Sequence, residues 1–193
     1  TESPVLAELV DVARAKRVPL VVDEGSGRVV DLAPYGFMRR ESVREILAAG
    51  ADIVTCSTDK LIGATQGGLI LGKRALVDRC ARHPLMRALR AGKESYAVIA
   101  ATLAAFAWGK HEEEVAIYRM MAATLDALRS RAERIAAACG GQVIETRAAI
   151  GGGTTPAETM PSIGIGLPGN ANAVHRTLLR FTTPVVATIR EDR

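Results

Sequence analysis

The sequence predicts an α/β protein whose first part is a layered domain of alternating strands and helices. Apolar runs at residues 18–23 and 51–57 have the length of buried strands, and each run ends in or is followed by polar residues. A helical pattern at residues 41–49 lies between the two runs. This alternation favours a sheet with helices packed on its faces. After residue 73 the pattern changes to long helical segments followed by short strands, which predicts a second, smaller α+β domain.

The first domain opens with a helix, because apolar residues recur at helical spacing over residues 5–13. Ser3 and Pro4 precede this stripe as an N-cap and a first helical residue. The run at 18–23 is expected to be a central parallel strand covered on both faces. The later elements are a helix at 41–49 ended by Gly50, strands at 51–57 and 68–72, a helix at 75–82 and a well-buried helix at 95–106.

The second domain is expected to combine one long helix with a few short strands. An amphipathic helix spans residues 112–139 and ends at Gly140. After it come predicted strands at 142–150 and 162–167, a helix at 171–179 and a strand at 184–189. We place the domain boundary near Gly109, so that residues 1–108 form the first domain and residues 109–193 the second.

The composition excludes several classes of protein. Among 193 residues, 48% are apolar and 24% are charged, which is typical of a globular chain. The longest apolar stretch, at 97–108, is too short to span a bilayer, and the N-terminus lacks a signal-peptide pattern. Three cysteines without metal-type spacing fit a reducing compartment. We therefore expect a cytoplasmic protein with no membrane partner and no metal.

Charge and chain ends add two weaker expectations. The net charge of +4 is compatible with an RNA or phosphorylated partner, although most chains with such a charge have none. The sequence begins abruptly within a helical pattern and ends on a charged tetrapeptide, which suggests a fragment of a longer protein.

Asp23 and Lys60 are the candidates for chemistry, because each lies at or just beyond the carboxyl end of a predicted strand. A lysine there can form a Schiff base with a carbonyl cofactor, while neighbouring hydroxyl and backbone donors hold a phosphate. A carboxylate can pair with a pyridinium nitrogen and keep it protonated. The spacing alone also fits a capping acid and a solvated lysine, so both interpretations stay open at this point.

Longer motifs strengthen the first interpretation, because they resemble the bacterial selenocysteine synthases, the L-seryl-tRNA(Sec) selenium transferases. The most specific are the turn Ser-Thr-Asp-Lys-Leu-Ile-Gly, beginning at Ser57, and His-Pro-Leu-Met-Arg-Ala-Leu-Arg, beginning at His83. Further matching segments lie at 22–27, 31–32, 35–36, 50–55, 64–73, 93, 151–158, 161–162 and 184–186. The resemblance thus extends over nearly the whole chain.

The resemblance implies the C-terminal part of the large domain of a fold-type-I pyridoxal-phosphate (PLP) transferase, followed by a small α+β domain. Lys60 would be the Schiff-base lysine and the base for the α-proton, Asp23 the partner of the ring nitrogen, and Ser57 a neighbour of the cofactor phosphate. The implied reaction converts seryl-tRNA(Sec) to selenocysteinyl-tRNA(Sec) with selenophosphate, through an aminoacrylyl intermediate. The family also forms large homo-oligomers. Because the first half of the large domain would be missing, the chain is expected to be inactive alone.

Arg87 and Arg90 are three residues apart on an expected helix, where they would project to the same side and clamp an anion. The resemblance implies that they bind selenophosphate. Without the resemblance, an ordinary basic helix face is the favoured interpretation of these two arginines. His83 is expected to cap or pack at a turn, and Cys56 is expected to be a small buried residue without a catalytic role.

The sequence also departs from the family pattern. Thr58 and Ala64 replace glycines, and Thr65 replaces a proline, so a positive φ at Thr58 would be strained. Thr188 stands where the family places an arginine suited to a substrate carboxylate. Two alternatives therefore stay open: a related PLP-dependent lyase acting on a small amino acid or amino sugar, and a truncated, non-catalytic oligomerisation or binding module.

Overall fold

The computed structural model describes most of the chain, namely residues 4–151, 154–155 and 158–189. Several predicted features lie outside these residues: the cap Ser3, positions 152–153 and 156–157 of the glycine-rich motif, and the charged tail at 190–193. Among the described helices, none has the length and apolar character needed to cross a membrane.

The chain divides into two compact units. The first takes in the described residues of Thr1–Ala122 and Ala149–Glu158, and the second those of Ala123–Ala148 and Thr159–Arg193. The units therefore divide after Ala122 rather than near Gly109, where the sequence pattern placed a domain boundary. The residues between these two positions belong to the first unit because their helices pack on it, as described below.

The described part of the first unit contains three strands and seven helices, besides a short 3-10 turn at Ala33–Tyr35. The strands are β1 (Val21–Gly25), β2 (Ile53–Ser57) and β3 (Gly68–Gly72). The helices are α1 (Leu6–Lys16), α2 (Val43–Ala49), α3 (Arg74–Arg82), α4 (Leu85–Leu89), α5 (Lys93–Ala107), α6 (His111–Glu114) and α7 (Ala116–Met121). The predicted elements of the first domain are confirmed, with small shifts at their ends.

Local sequence explains the bounds of α2 well. The Ser42 hydroxyl accepts a hydrogen bond from the Glu45 amide, and the Glu45 carboxylate accepts one from the Ser42 amide, which forms a capping box. Gly50 ends the helix with φ of 119°, a conformation that favours glycine over residues with a Cβ atom. The predicted C-terminal glycine is confirmed.

The three strands form one mixed sheet in the order β1-β2-β3. β1 runs parallel to β2, with Asp23 opposite Thr55, whereas β3 runs antiparallel to β2. The prediction that the 18–23 run forms a central strand covered on both faces is wrong for the described chain, where β1 is the end strand and Val21 is 57% exposed. An apolar run identifies a strand, but it does not determine how many neighbours that strand has.

The core of the first unit lies where α2 and β2 pack together. Its buried members are Val43, Ile46, Ala51, Val54, Cys56 and Ile62. Leu103 and Phe106 of α5 pack against this cluster. The rest of α5 is less buried than predicted, since Tyr96 and Val98 are exposed and only Ile99 and Ala105 of this helix are buried in the described structure.

The long helix predicted at 112–139 is wrong, because the chain forms α6, α7 and a third helix, α8 (Leu125–Cys139). Val115 interrupts the first part with an extended backbone, φ −98° and ψ 117°. Thr124 is also extended, and its hydroxyl caps α8 by accepting a hydrogen bond from the Ala127 amide. Amphipathic periodicity continues through both breaks, so the pattern alone does not reveal them.

An aromatic cluster explains why α6 and α7 belong to the first unit. Tyr118 is fully buried, and its ring centroid lies 5.2 Å from those of Phe106 and His111 and 5.9 Å from that of Tyr35. Phe106 and His111 also stack on each other. Edge-to-face and stacked pairs of this kind add to the free energy gained by burying apolar area.

The second unit combines α8 with two strands and a further helix. The strands β4 (Gln142–Ala148) and β5 (Met160–Gly166) form an antiparallel pair, and α8 contacts both. The last helix is α9 (Ala171–Leu179). The strand predicted at 184–189 is wrong: no strand forms there, and Val186 is 81% exposed. A β-branched composition favours extended backbone, but a strand also needs a partner for its hydrogen bonds.

The buried phenol of Tyr118 yields a stability prediction. Its hydroxyl has no hydrogen-bond partner among the described residues, so Tyr118→Phe removes an unsatisfied polar group and should leave the free energy of unfolding unchanged or slightly higher. Tyr118→Ala deletes the ring at the centre of the cluster and should cost about 3–5 kcal/mol. Urea unfolding followed by circular dichroism measures both. A large loss in Tyr118→Phe would show that the hydroxyl is paired.

Candidate functional site

The parallel pairing of β1 and β2 places the predicted site residues at one end of the sheet. Asp23 near the end of β1 lies opposite Thr55, whose hydroxyl donates a hydrogen bond of 2.8 Å to the Asp23 carboxylate. Ser57 is the last residue of β2, and the chain then turns through Lys60. In α/β sheets the carboxyl ends of parallel strands are where ligands bind.

Lys60 lies in a turn that is anchored on both sides of it. Its carbonyl accepts a hydrogen bond from the Gly63 amide, and the amide of Leu61 donates to the carbonyl of Ser26 at 2.9 Å. Leu61 and Ile62 are fully buried, whereas Lys60 is half-buried. The Lys60 ammonium forms no hydrogen bond or ion pair with the part of the chain that the structure describes. The backbone is therefore fixed while the amino group is available to a ligand.

Thr58 stabilises this turn instead of straining it. Its backbone φ is not positive, since Arg17 alone among the described non-glycine residues has a positive φ. The Thr58 side chain is fully buried, and its hydroxyl donates a 2.7 Å hydrogen bond to the carbonyl of Thr65. Its amide and carbonyl pair with Gly67 and Ala64. The departure from the family pattern at Thr58 thus introduces a side-chain bond across the turn.

Glu24 organises the loop that follows Asp23. Its carboxylate accepts hydrogen bonds from the hydroxyl of Ser26 and from the amides of Gly27, at 2.6 Å, and Arg28, at 3.1 Å. Gly27 has φ of 75°, and a Cβ atom there would lie 2.5 Å from the Ser57 carbonyl oxygen, so only glycine fits. The loop is thus pressed directly against the end of β2.

These bonds connect the two predicted site residues. Glu24 holds the loop, and the Ser26 carbonyl of that loop accepts the amide next to Lys60. The sequence analysis missed Glu24 and Thr55. The glutamate directly before a Gly-Ser-Gly loop was a visible signal for the first, whereas Thr55 is recognised only once the register of β1 on β2 is known.

Arg28 and Tyr118 are buried near this loop. Arg28 is 2% exposed, and its Nη1 atom has no hydrogen-bond partner among the described residues. Burial raises the pKa of the Tyr118 phenol, and the charge of Glu24 raises it further, whereas the nearby Arg28 guanidinium lowers it. The phenol is therefore neutral near pH 7 and forms part of the packed interior below the loop.

Cys56 lies beside the site, but its thiol is expected to be unreactive. Burial, together with the charges of Glu24 and Asp23, raises the pKa of its thiol to about 11. Its side chain belongs to the core cluster. The expectation of a small buried residue therefore agrees with its position. In the described chain, no group of three or more His, Cys, Asp and Glu side chains is placed to hold a metal ion.

Arg87 and Arg90 do not share a helix as predicted. α4 ends at Leu89, and Arg90 follows it with an extended backbone of φ −63° and ψ 120°, so the assumed helical spacing is wrong. Both side chains are exposed, and neither forms an ion pair with a described residue. Both guanidiniums are free to meet an anion. His83 caps the start of the same helix, since its Nδ1 atom accepts a hydrogen bond from the Leu85 amide.

Two other motif positions have clear environments. Glu158 accepts a hydrogen bond of 2.6 Å from the amide of Met38 and an ion pair from Arg40, within the first unit. Its side chain is only 13% exposed, so this part of the glycine-rich motif is firmly attached. Thr188 is exposed in the second unit, and no contact in the structure assigns it a role.

The Glu24 network yields a prediction for the site. Glu24→Ala removes the acceptor of three hydrogen bonds, so the loop and the Leu61 amide should exchange hydrogen at least about tenfold faster. Hydrogen exchange with mass spectrometry measures this. Glu24→Gln keeps a carbonyl acceptor and should preserve most of the protection. Equal acceleration in β4 and β5 would indicate global unfolding instead of a released loop.

Thiol labelling tests the environment of Cys56. Because a raised pKa leaves little thiolate at pH 8, and because the side chain is buried, iodoacetamide should modify Cys139 at least about tenfold faster than Cys56. The Cys56 rate should rise in urea, where the residue becomes accessible. Mass spectrometry of the digested protein resolves the two sites. Rapid labelling of Cys56 in the folded protein would show that the thiol is reactive.

Comparison with known proteins places these residues in a wider context. The SelA family model, described as L-seryl-tRNA selenium transferase, matches residues 1–193. The L-seryl-tRNA(Sec) selenium transferase of Pasteurella multocida (strain Pm70) is 32% identical over 206 residues, covering 100% of this chain and 45% of the relative. The enzyme of the same name from Rhizobium meliloti (strain 1021) is 36% identical, covering 96% of this chain and 43% of the relative.

A solved structure shows a similar fold. D-Glucosaminate-6-phosphate ammonia-lyase superposes with a TM-score of 0.60 and 23% identity, over 98% of this chain and 45% of that chain. The likeness confirms the predicted α/β class, that of part of a fold-type-I transferase. The chain spans less than half the length of the relatives that it matches.

Proposed function

Because the chain belongs to the family of L-seryl-tRNA selenium transferases, we propose that it forms part of an enzyme that converts seryl-tRNA(Sec) to selenocysteinyl-tRNA(Sec). Pyridoxal phosphate would be the cofactor and selenophosphate the selenium donor. The observation that carries this proposal is the position of Lys60: its ammonium is unpaired among the described residues, and the loop after Asp23 is bonded to the amide that follows it.

The residues present fit the cofactor chemically. Lys60 offers an amino group, half-buried and without an internal counter-ion in the described chain, for covalent attachment of a carbonyl. Asp23 offers a carboxylate to a pyridinium nitrogen, and Ser57 offers a hydroxyl at the strand end to a phosphate. When bound, the cofactor would supply an electron sink for carbanion chemistry at the α-carbon of the seryl group.

Thr55 supports the role proposed for Asp23. Its hydroxyl donates to one carboxylate oxygen, Oδ1, and so holds the carboxyl group in one orientation. The second oxygen stays available for the ring nitrogen of the cofactor. Asp23 itself is exposed, so a ligand can approach it from solvent.

Lys60 has a second proposed task, which is to carry a proton. With the cofactor bound to the substrate, the Lys60 amino group would serve as the base for the α-proton of the seryl group. The anchored turn limits where this amino group can reach, because the Leu61 amide and the Lys60 carbonyl are already bonded. In the proposed reaction the serine hydroxyl would leave as water together with the α-proton. Selenium from selenophosphate would then bond to the β-carbon, and water would cleave the selenium–phosphorus bond to release phosphate.

Arg87 and Arg90 are proposed to bind selenophosphate. A guanidinium offers a planar fork of donors that matches the oxygens of a phosphate-like anion. Both side chains are exposed and unpaired in the described structure. Because the chain spans less than half the length of its relatives, we propose that it supplies the lysine-bearing part of the site and that the remaining length supplies the rest.

The proposal is tested by absorbance. After incubation with pyridoxal phosphate and dialysis, the protein should keep a visible band of bound cofactor, and Lys60→Ala should lose it because the attachment point is gone. Lys110→Ala is the control, since Lys110 is an exposed lysine of the first unit and should leave the band unchanged. Borohydride reduction and peptide mapping should place the label on Lys60.

A band that survives in Lys60→Ala, or a reduced label found on another lysine, would contradict this assignment. Circular dichroism of each variant establishes that a lost band does not reflect a lost fold. Conversion of seryl-tRNA with selenophosphate, measured with the same substitutions in a longer protein that supplies the remaining length, then tests the proposed reaction itself.

A further inference from the structure

The positive charge of this protein is concentrated in one segment. Residues 74–93 contain six of the 25 Lys and Arg residues and one of the 21 Asp and Glu residues. The segment therefore carries a formal charge of +5, and the rest of the chain together carries −1. A mild excess of +4 over the whole sequence thus hides a strongly basic region beside a nearly neutral remainder.

All six cations of this segment are exposed. We call them the basic track, which consists of Arg74, Arg79, Arg82, Arg87, Arg90 and Lys93. Its sole acid, Asp78, lies 3.8 Å from Arg74 in a solvent-exposed pair, which neutralises little at physiological salt. The remaining five cations form no ion pair with a described residue. Their charge is therefore directed at solvent.

The packing of α3 keeps its arginines outward. Leu76 and Cys80 of this helix line an apolar groove together with Val21 and Ile53 of the sheet. With the apolar side of α3 turned to the sheet, Arg74 and Arg82 fall on the opposite side at helical spacing. Arg74 and Arg82 thus lie on an exposed face, and the exposed Arg79 lies at the border of that face and the groove, which it also lines.

The basic track leads to the lysine turn. It continues from α3 through α4 to Lys93, the first residue of α5. Further along α5, Ile99 is buried beside Gly67, where an added Cβ atom would lie 3.2 Å from the Ile99 side chain. Gly67 in turn accepts the Thr58 amide within the turn that carries Lys60. The helix that begins at the end of the track therefore packs on the turn that carries Lys60.

We propose that the basic track, apart from Arg87 and Arg90 of the proposed selenophosphate site, is a docking surface for the phosphate backbone of RNA. The inference rests on the proposed function, since an aminoacylated RNA with its 3′ end at Lys60 needs a path for its charged backbone. A row of exposed guanidiniums is suited to phosphates, which dominate the affinity of proteins for nucleic acid. Tyr96, 54% exposed next to the end of the track, offers a ring on which an unstacked base of a single-stranded end can stack.

The test compares two sets of arginines. In the first variant, Arg74, Arg79 and Arg82 are changed to Gln, a good helix former that keeps the length of the side chain. In the control, Arg129, Arg131 and Arg134 of α8 are changed in the same way. Both triplets are exposed, lie on one helix and contain one arginine in an ion pair, so the change in net charge is identical. Arg87 and Arg90 stay unchanged because they belong to the proposed anion site.

Binding of fluorescently labelled transfer RNA to the purified protein is measured by anisotropy over a range of salt concentrations. The α3 variant should bind at least about tenfold more weakly than the unchanged protein, and its log–log salt slope should fall by about 2 to 3, as expected for three lost phosphate contacts. The α8 control should change the affinity less than about threefold. Vesicles containing phosphatidylserine should not compete with the RNA at equal phosphate concentration.

Equal losses in both variants would overturn the proposal, because they would reflect net charge alone. It would also be overturned if the unchanged protein failed to bind the RNA, or if the α3 change affected vesicles and not RNA. The cofactor band is the separate readout for Lys60. If the cofactor band is normal but the α3 variant binds RNA as well as the unchanged protein does, only the docking surface is contradicted. If the α3 variant loses RNA binding but no Lys60-dependent band is seen, only the proposed chemistry is contradicted.

Discussion

The irregular parallel pairing of β1 with β2 is the constraint on which the candidate site depends. Asp23 pairs with Thr55, but the register then shifts, and Gly25 lies opposite Cys56. The residue skipped by this shift is Glu24, whose side chain folds back onto the amides that follow. One extra residue in the ladder thus positions the acid, shapes the glycine loop and brings that loop against the end of β2.

Much of the fold was predictable because its signals are local. The Ser42 and Gly50 caps define α2 within a few residues, and the strand runs were found where they occur. The wrong predictions concern which segments of the chain pack or pair with one another. The break at Val115 and the missing strand at 184–189 depend on which partner a segment meets, and periodicity contains no information about that. The prediction that α5 is well buried failed for the same reason, because the sequence pattern of an apolar helix is the same whether or not other elements cover it.

The site shows the same division between local and non-local information. Asp23 and Lys60 follow from short motifs at strand ends, whereas Thr55 acts through a pairing 32 residues away in sequence. Thr58 is instructive because the sequence suggested strain and the structure has a buried hydrogen bond. A substitution in a glycine position is strained only if the backbone there needs a positive φ, and that is a property of the fold rather than of the residue. Arg90 is the reverse case, since a helical spacing was assumed past the last helical residue.

The order of the strands has a practical consequence. β1 and β3 each pair with one neighbour in the described chain, so their outer backbone amides and carbonyls face away from the three-stranded sheet. Unpaired strand borders of this kind are templates on which other chains assemble into aggregates. The isolated chain is therefore expected to associate through these borders as its concentration rises. Lysine substitutions at outward positions of β3, or a strand fused to the chain to cover the border, should reduce this association.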